Sequence, residues 1–161
     1  MNSVYSTDSL ANLHVLIPCA GSGTRMGIER PKQYELLCGK PMVLHSIETF
    51  LHDPQVSTVW VGVSADTAAI QGFDWPQHPK LRVVMTGGSR RQDTVLNTLL
   101  TMTQSNCGLE DWVMVHDAAR PGITRQAIER LYCGVIQSNA CGGILALPVA
   151  DTLKIEQSNQ L

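Results

Sequence analysis

Short, nearly unbroken apolar runs alternate along this chain with longer stretches of helical period, and that alternation restricts the fold more than any other feature. Residues 13–18, 58–63, 81–85, 112–116 and 142–149 are rich in Val, Ile and Leu with little polar alternation. Strands of that kind are covered on both faces. Between them the spacing predicts a helix over 41–51, with Pro41 as its first helical residue, where the missing N–H costs nothing. Ser89-Arg90-Arg91-Gln92 reads as a capping box opening a second helix to about Met102, with Val95, Leu96, Leu99, Leu100 and Met102 on its apolar face. A third helix follows Thr124 as cap and carries Ile128, Leu131 and Val135 at helical spacing. A weaker helix or turn is expected over 65–72. Strand–helix–strand repetition implies parallel strands joined by right-handed crossovers, hence an α/β fold: a three-layer α/β/α, Rossmann-like sandwich around a mostly parallel twisted sheet. Ligands of such sheets bind beyond the carboxyl ends of the strands, so the chemically interesting residues are expected just after strands.

Composition narrows the ligand. The chain has 161 residues and a formal net charge of −2, which suits one core and leaves no diffuse basic surface for nucleic acid. A phosphate ligand must then be held by a few placed cations, which favours a small molecule. Five cysteines, Cys19, Cys38, Cys107, Cys133 and Cys141, form an odd set without a C-x-x-C pair, against a disulfide framework or a zinc site. The histidines show no metal-like clustering, so no metal held by protein ligands alone is expected. Residues 1–12 read as a polar tail without a signal peptide, and no apolar run reaches the length of a membrane span. A reduced, cytoplasmic protein with no membrane partner is the expectation.

The strongest local signal is Pro18-Cys19-Ala20-Gly21-Ser22-Gly23-Thr24-Arg25-Met26-Gly27, followed by Pro31-Lys32-Gln33. Glycines let backbone N–H groups approach a ligand, and successive N–H groups form a concave anion site. Neither familiar phosphate motif fits. A P-loop needs Gly-Lys-Ser/Thr, and the dinucleotide fingerprint G-x-G-x-x-G has Met26 where its third glycine belongs. Arg25 and Lys32 beside the loop supply what a polyphosphate requires: a guanidinium fork spanning two oxygens and a mobile point charge. The bland alternative is two surface cations flanking a turn. Their joint position after a strand and a glycine loop favours the site.

Gly21-x-Gly23-Thr24-Arg25-Met26 with Pro31-Lys32-Gln33 resembles the sugar-phosphate nucleotidyltransferases. Three further segments, 87–94 (Gly-Gly-Ser-Arg-Arg-Gln-Asp-Thr), 115–121 (Val-His-Asp-Ala-Ala-Arg-Pro) and 148–154 (Pro-Val-Ala-Asp-Thr-Leu-Lys), are similar to the 2-C-methyl-D-erythritol 4-phosphate cytidylyltransferase family. The resemblance runs from about Leu13 to Lys154. It implies transfer of CMP from CTP to methylerythritol phosphate, release of pyrophosphate, and Mg²⁺ bound mainly through the CTP phosphates. By the same resemblance Arg25 and Lys32 are catalytic, stabilising charge in the transition state. Pro18, Cys19, Ala20, Gly21, Ser22 and Gly23 wrap the nucleotide, Gly87, Gly88, Ser89 and Thr94 line the cytosine pocket, and Ala118 lies near the ribose. Asp117 contacts the sugar-alcohol phosphate or the metal region, Thr152 contacts the sugar-alcohol phosphate, and Arg91 supports the base loop. Ser89 is also readable as a plain helix cap, and Asp117 as a turn residue. His116 is read as a structural hydrogen bonder, since a phosphate nucleophile needs no base.

The resemblance also implies parts that are not in this chain: the remainder of a homodimerisation arm and later basic residues that orient the acceptor. The domains expected are the tail 1–12, a nucleotide-binding catalytic domain 13–154, and the cut-short start of the arm at 155–161. An impaired fragment that keeps a CTP pocket is the expectation. The rivals are a ribitol 5-phosphate cytidylyltransferase, a non-catalytic CTP-binding module and, more distantly, a dehydrogenase.

Overall fold

The computed structural model describes residues 11–21, 31–64 and 73–149. The helix or turn expected over 65–72, the tail to residue 10 and the arm from residue 155 lie outside the described residues. By contacts the chain divides into two units, 1–125 and 126–161.

The first unit is built on one four-stranded parallel sheet. Its strands are β1 (Leu13–Pro18), β4 (Val56–Gly62), β5 (Leu81–Val84) and β6 (Trp112–Val115), in the order β5-β4-β1-β6. β1 is central, and Val15, Leu16 and Ile17 are each fully buried. Successive side chains of a strand point to opposite faces, so burial of three in a row means cover on both sides. On one face Leu16 packs with Trp60 and with Met102 of helix α2 (Arg91–Gln104). Helix α1 (Met42–Leu51) packs on β4 and buries Val43, Ile47 and Phe50.

The strand order carries a functional consequence. From β1 the chain steps outward through β4 to β5, then crosses back to add β6 on the other side of β1. The direction of winding reverses between β1 and β6. In open α/β sheets the ligand crevice lies at the carboxyl ends of the strands at such a switch point.

A short hairpin lies between β1 and α1. Strands β2 (Leu36–Leu37) and β3 (Lys40–Pro41) are joined by Cys38 and Gly39, both at positive φ (51° and 78°). Two positive φ values in a two-residue loop suit the right-handed twist of a hairpin. Pro41 therefore ends a strand and caps α1 from outside rather than opening it as the first helical residue.

In the second unit, helix α3 (Arg125–Gln137, its first residue still in the first unit) starts directly after Thr124. It closes on Asn139 at φ 51°, with the Ala140 N–H donating to the Val135 carbonyl at 3.1 Å, a left-handed helix stop. The expected strand over 142–149 does not form. Among the described residues the segment has no ladder partner, and Ile144 and Leu147 are 86% and 91% exposed. An apolar run shows only that a segment is able to pair, whereas a strand exists through its neighbour. Among the described residues no helix is long and apolar enough to cross a membrane.

The amino end of the sheet is tied by a polar network. Asp111 accepts from the N–H groups of Asn12 (2.8 Å) and Gly108 (2.7 Å) and from His14 Nε2 (3.1 Å). The Thr58 hydroxyl lies 2.7 Å from His14 Nδ1 and accepts from Trp60 Nε1 at 2.7 Å. The Asn12 backbone donor, with help from His14 and Gly108, pulls the Asp111 carboxyl down to about 2. A carboxyl depressed in the folded state contributes stability that is complete above its unfolded value and lost as pH falls through its folded value. We expect unfolding free energy to drop between about pH 4 and pH 2. Asp111→Asn should lose about 1–3 kcal/mol at pH 7 and flatten that acid limb. Urea titrations at several pH values check both.

A second prediction concerns helix-to-sheet spacing. A Cβ on Gly62 would stand 2.5 Å from Thr98 Oγ1 and 2.8 Å from Thr86 Oγ1, two hydroxyls bonded to each other across α2 and the β5 loop. Gly62→Ala should cost about 1–3 kcal/mol through overpacking, read from the shift in urea midpoint.

Candidate functional site

Three loops meet at the carboxyl edge of the sheet. The first leaves β1. Pro18 sits opposite Gly62, and the Cys19 N–H donates to the Gly62 carbonyl at 2.7 Å, carrying the pairing one residue past the strand. Cys19 is 2% exposed, with its sulfur 3.5 Å from the Tyr34 hydroxyl. Burial pushes its thiol up to about 11, so the side chain stays protonated at neutral pH and is covered from a ligand. Ala20 is half-buried and Gly21 exposed. A 3₁₀ turn, Lys32–Tyr34, stands beside this loop, with Lys32 exposed and Gln33 buried. The Gln33 amide donates to the carbonyls of Cys19 (3.3 Å) and Gly21 (2.8 Å). Ser22, Gly23 and Arg25 lie outside the described residues.

The second loop follows β5. The Gly87 N–H donates to the Val63 carbonyl at 2.9 Å. A Cβ at Gly87 would meet Ser64 Cα at 2.8 Å and Ala20 Cβ at 2.9 Å. Glycine here lets the chain ends of β1, β4 and β5 touch, which seats the expected base loop against the expected phosphate loop. The Gly88 N–H donates to Thr94 Oγ1 at 3.0 Å, and Thr94 is 2% exposed. Thr94 thus shapes the loop from behind, with its oxygen engaged.

Ser89 is exposed, and its hydroxyl donates to Asp93 at 2.9 Å. The capping pair differs from the expected Ser89 and Gln92. Asp93 accepts the Arg90 N–H at 3.1 Å, so Arg90 is the cap position and Asp93 closes it. A carboxylate in the first turn accepts more strongly than a neutral amide and complements the helix dipole. The Arg90 guanidinium and then the Ser89 hydroxyl hold the Asp93 carboxyl below its ordinary value.

The third loop follows β6. Asp117 stands between two guanidiniums: Arg91, at the start of α2, lies 2.6 Å from Oδ1, and Arg120 lies 3.0 Å from Oδ2. The Arg91 contact joins the base loop to the β6 loop. Ala118 is 6% exposed, so its methyl group offers little surface. His116 donates from Nε2 to the Arg120 carbonyl at 3.0 Å and packs edge-on against Phe50. Burial lowers its pKa, which leaves the ring neutral at pH 7. Its work is to hold the 117–120 turn. Arg120 escaped the sequence reading as a site residue; the i,i+3 spacing from Asp117 was the available signal. Thr152 lies outside the described residues.

A parallel α/β sheet that gathers glycine loops and cations at its switch point defines the doubly wound class of ligand-binding sheets. Comparison with known proteins makes this specific. Residues 13–161 match the family described as IspD, 2-C-methyl-D-erythritol 4-phosphate cytidylyltransferase. The curated enzyme of that name from Laribacter hongkongensis is 43% identical over 145 residues, covering 90% of this chain and 61% of its own length. The one from Vibrio atlanticus is 41% identical over 152 residues, covering 94% and 64%. The crystal structure of the Francisella tularensis enzyme superposes with a TM-score of 0.73 at 32% identity, over 92% of this chain and 63% of that one. The chain belongs to the 2-C-methyl-D-erythritol 4-phosphate cytidylyltransferase family. It spans about three-fifths of the length of the curated relatives it matches.

The buried thiol at the loop gives a chemical test of this geometry. With iodoacetamide at pH 8, exposed Cys38 and Cys141 should alkylate readily, while Cys19 stays at least tenfold slower until denaturant is added. Peptide mass spectrometry over a time course reads the rates. A Cys19 as fast as Cys38 would mean that the loop does not cover it.

Proposed function

We propose that this protein transfers a cytidylyl group from CTP to 2-C-methyl-D-erythritol 4-phosphate with release of pyrophosphate. One observation carries the reading: in a chain matched to that family over 13–161, the β1, β5 and β6 loops converge at the carboxyl edge of the sheet, where its winding reverses. The family match supports a CTP donor and a methylerythritol phosphate acceptor.

In this reading the β1 loop, Pro18 to Gly23, wraps the nucleotide, and the Ala20 and Gly21 N–H groups face the triphosphate while the Cys19 N–H stays on Gly62. Gly87, Gly88 and Ser89 face the cytosine with tight backbone and one hydroxyl, while Thr94 keeps the Gly88 amide in place. The acceptor phosphate is already anionic at neutral pH, so attack on the α-phosphorus needs no base. Charge then grows on the phosphoryl oxygens, and Arg25 and Lys32 stabilise it. Asp117 accepts hydrogen bonds from hydroxyls of the sugar alcohol. Arg91 and Arg120, paired to it, offset its charge so that a phosphorylated acceptor is not repelled. Thr152 adds a hydroxyl contact to the acceptor.

Magnesium ordinarily binds through phosphate oxygens with one or two carboxylates, and Asp117 is a carboxylate at this edge. Its donor chemistry fits, and a bound Mg²⁺ would neutralise the triphosphate and its leaving group. A homodimer and a cytoplasmic location complete the proposal, the latter supported by five cysteines that are all free.

Incubation with CTP, Mg²⁺ and methylerythritol phosphate, with ribitol 5-phosphate in parallel, tests the reading. Saturable CTP binding is expected, with whatever pyrophosphate release occurs specific to methylerythritol phosphate, and in a version of the relatives' full length Arg25→Ala should lower turnover about a hundredfold. Release with ribitol 5-phosphate instead would reassign the acceptor. Failure to bind CTP would overturn the proposal.

A further inference from the structure

The turn at Lys32–Tyr34 faces two ways: Lys32 is exposed, while its neighbour Gln33 is 7% exposed. Gln33 Nε2 lies 2.8 Å from the Gly21 carbonyl and 3.3 Å from the Cys19 carbonyl. Two carbonyl oxygens call for a group with two N–H donors, so the surroundings fix which way the amide lies.

The consequence for the loop follows from peptide geometry. In a planar trans peptide the N–H points opposite the C=O. Drawing the Cys19 carbonyl toward Gln33 therefore turns the Ala20 N–H away from it. The Cys19 N–H is already taken by the Gly62 carbonyl. Among the described residues, the N–H groups of Ala20 and Gly21 meet no acceptor. The loop thus has two carbonyls tied inward and two donors left over. That polarity suits an anion; the opposite one, with lone pairs facing outward, would repel a phosphate.

We propose that Gln33 is a positioning residue for the nucleotide phosphates. It holds the Cys19 and Gly21 carbonyls away from the polyphosphate, and because Lys32 precedes it in the same turn, it also sets that lysine's backbone against the loop. The inference rests on the CTP reading above and adds a residue to which that reading gave no role.

The test titrates this chain with CTP plus Mg²⁺ and, separately, with cytidine, which carries the base but no phosphate. Gln33→Met keeps the volume and removes both donors. Gln33→Glu keeps the shape and, when ionised, turns a carboxylate on two carbonyls. We expect Gln33→Met to weaken CTP binding about tenfold, with cytidine binding held within about twofold. Gln33→Glu should bind CTP weakly at pH 8 and recover relative to wild type by pH 5.5. There its carboxyl, raised by burial, takes up a proton and regains one donor.

Variants that bind CTP as tightly as wild type overturn the inference and leave the CTP reading standing. So does loss of cytidine binding in proportion to CTP, which marks a general defect. A wild type that binds no CTP brings down both. If Gln33→Met fails to fold, the pH series on Gln33→Glu decides alone.

Discussion

The way β1 ends governs the rest of the molecule's ligand edge. Its last backbone donor beyond the strand, the Cys19 N–H, is still held by Gly62 of β4. From that point the chain must turn without a sheet to hold it. It does so with its cysteine buried, its carbonyls gathered by Gln33 and its methyl at Ala20 pressed against Gly87. These contacts come from three segments distant in sequence, β4, the Lys32–Tyr34 turn and the loop after β5, so tertiary packing shapes the described start of the loop. Glycine permits the conformation, and the neighbours select it.

Charge is managed locally. With a net charge of −2 the protein gains no general attraction for a triphosphate, so its cations must be concentrated at the site. Lys32, Arg91 and Arg120 are all exposed at this edge, and Asp117 engages two of them. Exposed pairs of this kind add little to stability. Their value lies in keeping two long side chains ordered near the crevice, so that less conformational freedom remains to be lost when an anion arrives.

Much of this was legible from sequence, for reasons that also mark its limits. Four strands were readable because burial on both faces leaves an unbroken apolar run, and each was placed to within about two residues, the usual uncertainty of element ends. The run at 142–149 is also apolar, though it holds two glycines and Pro148, and among the described residues it pairs with no strand; pairing depends on a neighbour that an apolar run does not reveal. The capping residue was misplaced by one position: the pattern matched Ser89 with Gln92, while the carboxylate at Asp93 competed better for the same donors. Strand order was invisible, and with it the switch point between β1 and β6. The role of Gln33 was hidden for the same reason, since it acts on carbonyls of a loop brought near only by folding. Asp117 was legible as a residue after a strand; its two guanidinium partners were not.

The two ends of the sheet are built by opposite means. At the amino end, side chains do the binding: Asp111, His14, Thr58 and Trp60 saturate one another and the adjacent backbone, and among the described residues no buried side-chain nitrogen or oxygen lacks a partner. A saturated network of this kind fixes the strands relative to one another and has nothing left to offer a ligand. At the carboxyl end the side chains of Gln33, Thr94 and His116 are spent on backbone groups, holding a carbonyl or an amide in a chosen direction. What is left free there, among the described residues, is the main-chain N–H of Ala20 and Gly21 and the exposed Lys32 side chain, which suit an incoming anion. The same parallel sheet supplies both ends, and the difference between anchor and receptor lies in which groups have been left without partners.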